Sequence, residues 1–190
     1  LDWFIDHGCR GIGEVTARLP FDDPRVINMF RQCGERGLLV TIESAGMQAG
    51  TYGLQDEPNM PRLERLLQAA PQTLIIAHGP GFWAEMAANV SPADKWAYPD
   101  GPIEQEGAAW RLLRAYPNLY CDMSAGSGHG ALARDLDHAR DFLTEFQDRV
   151  LYARDYFDNR HQNLLNSLGL PQSILDKIYA GNALRLVPEK

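Results

Sequence analysis

Five ionisable residues each close a short apolar run: Glu14, Glu43, His78, Asp122 and Asp155. A carboxylate buried at such a place is costly unless it is paired or ligates a metal. Five such groups on one rim would raise one another's carboxylate pKa values unless a cation neutralised them. A divalent metal ion is the economical solution. His with Asp suits zinc, manganese or iron, and extra carboxylates favour harder or larger cations. Taken singly, each residue could instead cap a helix or bind a loop backbone. His78 and Asp155 together carry the functional reading.

The other histidines bear less directly on chemistry. His129 lies in the run Gly126-Ser127-Gly128-His129-Gly130, which reads as a flexible loop within reach of the rim. That run has neither the Walker spacing with its Lys nor a dinucleotide fingerprint, and it is no GxSxG elbow. His7 reads as structural, on a helix before the first strand. His138 and His161 read as surface or helix-cap residues. Phe82, Trp83, Trp96 and Tyr98 either roof a pocket or pack a core.

The elements that must position the rim follow from periodicity. Strands are expected at 11–15, 38–43, 73–77, 118–123 and 150–155; that at 38–43 is almost continuously apolar, as strands buried on both faces are. Helices are expected from Asp23-Pro24 to Gly37, at 61–70, 106–116 and 137–147, then around 162–168 and 172–179. A long connection, 82–102, should carry short helices or a functional loop. Strands alternating with helices give an α/β fold with a parallel sheet and right-handed crossovers. The choices are a doubly wound sheet or a barrel. A full (β/α)8 barrel needs roughly 250 residues. The 190 residues here supply about five βα units with C-terminal helices, a partial TIM-barrel-like fold.

The formal charge of −7 argues against nucleic acid or an anionic membrane as partner. No apolar run approaches a membrane span. Cys9, Cys33 and Cys121 form no CxxC pair and read as reduced thiols in a cytoplasmic protein. The chain starts at Leu1 without a basic leader, which suggests one domain, 1–190, lacking its N-terminal βα units. A partial barrel exposes strand edges, so a homo-oligomer is expected.

Several segments then carry a resemblance. Leu74-Ile75-Ile76-Ala77-His78-Gly79, Asn118 to Ser124, Arg149 to Asp155, and Ile178 to Leu186 with its Gly181-Asn182-Ala183 core resemble, in order, the C-terminal portion of the amidohydrolase-related (amidohydrolase 2) family. These are metal-dependent TIM-barrel hydrolases and decarboxylases. The resemblance implies a divalent metal, zinc first and manganese or iron next, and a small-molecule substrate. It matches Asp155 to the eighth-strand Asp, a metal ligand or general base, and His78 to the sixth-strand His. Asp155 and His78 are then the catalytic pair, Glu43, His78 and Asp155 the metal set, and Glu14, Asp122 and His129 the substrate-binding rim. The implied reaction is hydrolysis of a C–N or C–O bond by a metal-activated water; decarboxylation of aromatic acids is the family's other chemistry. Two departures stand out. No His-x-His is present, and Glu43 stands where the family has a His. Arg154 beside Asp155 replaces a small residue. A degenerate, non-catalytic binding module is the rival reading.

Overall fold

The computed structural model describes residues 1–187. Its strands are β1 (Gly11–Val15), β2 (Leu39–Ala45), β3 (Leu54–Gln55), β4 (Ile75–His78), β5 (Leu119–Asp122) and β6 (Val150–Leu151). They lie in the order β1-β2-β4-β5-β6, all parallel, with short β3 paired to the end of β2. A doubly wound sheet needs a reversal of strand order. None occurs here, so crossovers of one hand put the helices on one face. The chain is a segment of a (β/α) barrel wall.

Burial along the strands separates the two faces. Val40, Ile42, Ile75, Ala77, Leu119, Cys121 and Val150 are fully buried, while Leu39, Thr41, Leu74 and Tyr120 between them are partly exposed. Successive side chains point to opposite faces. The buried set therefore packs on the helices, and the half-open set lines the concave side.

The helices start where their sequences say they should. In α2 (Pro24–Glu35) the Asp23 carboxylate accepts from the Arg25 N–H, with Pro at the first turn. In α3 (Pro61–Ala69) Asp56 does the same work from upstream, accepting from Arg62 and Leu63 N–H groups at 3.1 and 2.8 Å. In α7 (Leu136–Glu145) Asp135 caps the helix and also accepts from the Ile103 N–H, tying down the long connection. Trp110 of α5 (Ala108–Ala115) meets Phe142 of α7 edge-to-face at 5.0 Å, and Phe142 meets Trp83 at 5.9 Å. Such aromatic pairs add about 0.5–1.5 kcal/mol beyond their burial.

The long connection carries α4 (Pro80–Trp83) and a 3-10 turn, Ala84–Met86. Lys95 is buried within it, 3.0 Å from Glu85 and donating to the Gly81 carbonyl at 2.7 Å. Phe82 and Trp83 belong to the core, whereas Trp96 and Tyr98 are exposed.

Two expectations are corrected. The glycine-rich run 124–130 is not a loop but most of helix α6 (Ala125–Ala133). Gly and Ser disfavour helix in isolation, yet a Cβ at Gly128 would run into the Met123 backbone, so close packing selects the glycine. The last strand stops at Leu151 rather than reaching Asp155. The C-terminal part holds α8 (Arg160–Ser167), α9 (Gln172–Asp176), a π-turn at Lys177–Gly181 and α10 (Asn182–Leu186). There Asn182 is fully buried and donates to the Gln147 and Val150 carbonyls, both at 2.8 Å, anchoring the terminus to β6. None of the described helices is long and apolar enough to cross a membrane.

Candidate metal centre

The carboxyl ends of β1, β2 and β4 bring Glu14, Glu43 and His78 together. Each offers one ligand atom, and these atoms lie within 4.8 Å of one another. His78 Nε2 stands 3.4 Å from Glu14 Oε1 and 3.5 Å from Glu43 Oε2. The pairing Glu43↔His78 across β2 and β4 sets these two side by side on the concave face.

Asp122 lies behind His78 rather than beside its free nitrogen. His78 Nδ1 donates to Asp122 Oδ1 at 3.0 Å. The same oxygen accepts from the Ser124 N–H at 3.0 Å and from the Ser124 hydroxyl. This fixes the ring and turns Nε2 towards Glu14 and Glu43, the arrangement in which carboxylates orient metal-binding histidines; a cation there would take the place of the Nε2 proton. Ser124 was not among the expected site residues. Its signal was the Asp-Met-Ser spacing, which lets an Asp side chain bond the N–H two residues on.

Glu43 is 1% exposed, and its Oε1 has no hydrogen-bond partner. Two glycines with positive φ enclose it. A Cβ at Gly53 would lie 2.8 Å from the Glu43 Cγ, and one at Gly79 would run into the carboxylate. Burial and then the neighbouring Glu14 carboxylate push Glu43 well above the usual carboxylate range, although His78 pulls the other way. Burial alone would lower the His78 imidazole, but Asp122, Glu43 and Glu14 outweigh it and raise the group. A buried carboxylate with one unpartnered oxygen, its other oxygen facing an imidazole nitrogen beside a second carboxylate, is a donor set that a divalent cation fits.

Beside this cluster opens a cleft of about 490 Å³. Glu43 and His78 form part of its wall, with Asp155, His129, Arg160 and three tyrosines, Tyr52, Tyr98 and Tyr156. Asp155 is exposed, lies beyond the end of β6, and is not one of the three clustered ligand residues. Glu14 belongs to the cluster but not to the cleft wall. A second hollow of about 540 Å³, along the long connection near Arg134, contains none of the strand-end residues.

His129 lines the cleft from α6. Burial, then the nearby His161 and Arg160, lower its pKa. His161 is 2% exposed, contrary to the surface position expected for it. Its Nε2 donates to the Ala125 carbonyl at 3.0 Å, and its ring lies 5.4 Å from that of His129. The sequence did carry the signal: His161, Leu164, Leu165 and Leu168 make one helical stripe. His138 is half-buried against Trp110, and His7 at the end of α1 (Asp2–Asp6) bonds the Trp3 carbonyl.

No curated protein matches the chain. The amidohydrolase family model matches residues 6–188. Among solved structures, an amidohydrolase from Burkholderia multivorans with bound zinc aligns with a TM-score of 0.53 at 15% identity, over 87% of this chain and 57% of that one. Amidohydrolase 2 from Bifidobacterium longum subsp. infantis aligns with a TM-score of 0.49 at 16% identity, over 86% and 55%. A dihydroxybenzoic acid decarboxylase from Polaromonas sp. JS666, with manganese and 2-nitroresorcinol bound, gives 0.47 at 12% identity, over 88% and 55%. The chain therefore spans little more than half the length of these structures.

Proposed function

The chain belongs to the amidohydrolase family, and from that premise we propose that it is a metal-dependent hydrolase acting on a C–N or C–O bond of a small molecule. The observation that carries this reading is the Glu14–Glu43–His78 cluster at the edge of the cleft. Glu14, Glu43 and His78 would hold a divalent ion, zinc or manganese in kind, which when bound would polarise a carbonyl and acidify water. Asp122, itself held by Ser124, orients the His78 ring with Nε2 towards the two glutamates. Asp155, which lines the cleft and is open to solvent, would accept a proton from the attacking water and return it to the leaving group. His129 and Arg160 supply polar contacts for substrate. A cleft of this size suits a small molecule.

Decarboxylation of an aromatic acid is the second reading. Tyr52, Tyr98 and Tyr156 with Arg160 favour it, because flat rings and one cation suit an aromatic carboxylate. Three free cysteines support a reducing, cytoplasmic setting. Among the described residues the outer edges of β1 and β6 are unpaired, which supports self-association; a monodisperse monomer in light scattering would contradict it.

The test is a panel of activated esters, lactones, anilides and hydroxybenzoates, assayed for hydrolysis and for CO2 release with manganese or zinc added. Turnover is expected in one class, with a loss of at least about 100-fold in His78→Ala. Equal turnover in both proteins, or none in the unaltered protein, would overturn the reading.

A further inference from the structure

We propose that Glu43 sets which cation this centre takes, making it an oxygen-rich site that favours manganese relative to zinc far more than an imidazole-rich site would. The proposal rests on the reading of Glu14, Glu43 and His78 as a cation centre and goes beyond it to selectivity.

Three observations carry it. The donor set is two carboxylates and one imidazole. Carboxylate oxygens suit manganese and other hard ions, whereas zinc is at its best with imidazole and thiolate. Second, Glu43 cannot be an incidental carboxylate. It is 1% exposed, and its Oε1 has no partner among the described residues, so that oxygen stays unsatisfied unless a ligand meets it. Third, the room it occupies is built for it. Gly53 and Gly79 adopt φ of +113° and +91°, and a side chain at either would collide with Glu43. The carboxylate is confined where it faces His78 Nε2. Glu14, half-exposed at the edge, is the adaptable third ligand.

Zinc binds most nitrogen–oxygen sites more tightly than manganese does, so the informative quantity is the ratio of the two affinities. Calorimetric titration with each metal, backed by manganese electron paramagnetic resonance, measures it for the unaltered protein, Glu43→His, Glu43→Gln and Glu14→Gln. Circular dichroism reports whether each variant is folded. Glu43→His is expected to move the ratio towards zinc by about tenfold or more. Glu43→Gln keeps the shape of the cradle and is expected to weaken manganese more than zinc. Glu14→Gln is expected to weaken both. An unchanged ratio in folded Glu43→His and Glu43→Gln would overturn the selectivity proposal and leave the centre standing. Failure of the unaltered protein to bind either metal would overturn both.

Discussion

The two faces of the sheet use the same strands for opposite ends. On the helix side, Val40, Ile42, Ile75, Ala77, Leu119 and Cys121 are sealed from water and make no polar contact through their side chains. On the concave side, the alternate positions are partly open, and at the strand ends they become Glu43, His78 and Asp122. The first face stabilises the fold through apolar burial. The second keeps buried charged groups close together, an arrangement that works against folding unless the charges are compensated. Stability and chemistry are thus assigned to odd and even residues of one strand.

That division can be broken from either side. The largest effect is expected from Ile42→Ala, which opens a cavity on the helix face. It should cost about 2–5 kcal/mol in denaturant unfolding, while the protein that remains folded still binds metal. Next comes Asp122→Ala on the concave face. It frees the His78 ring and should weaken metal binding by about 10–100-fold, measured by the same titration, with helix content preserved. The smallest is Thr41→Ala, midway along the concave face and partly exposed. It should change stability by no more than about 0.5 kcal/mol. A Thr41→Ala cost comparable to that of Ile42→Ala would mean that the two faces are not distinct.

The sequence made the helix face and the rim legible for one reason. Apolar runs ending in an ionisable residue mark the strand and the neighbourhood of its carboxyl end: His78 and Asp122 are the last residues of β4 and β5, Glu14 precedes the last of β1, and Glu43 stands two residues before the end of β2. Asp155 broke the rule. Val150 to Asp155 reads as a strand, but the ladder stops at Leu151, and the Asp155 carboxylate lines the cleft rather than joining the cluster. Which carboxylates share the imidazole is a matter of register and rotamer, and neither is written in a one-dimensional pattern. Helix α6 was hidden because glycine propensity spoke for a loop, while tight packing against Met123 decided the matter. The role of Gly53 and Gly79 as a cradle for Glu43 likewise depends on two connections meeting a strand, which spacing alone does not reveal.

The central claim is that the cation is held by Glu14, Glu43 and His78, with Asp155 standing apart as a group of the cleft. The most direct test is metal content after dialysis against excess manganese or zinc, in the unaltered protein, Glu14→Gln, Glu43→Gln and Asp155→Asn. Roughly one divalent ion per chain is expected in the unaltered protein and in Asp155→Asn, and much less in the two glutamate variants. Loss of the ion in Asp155→Asn with retention in Glu14→Gln would contradict the account.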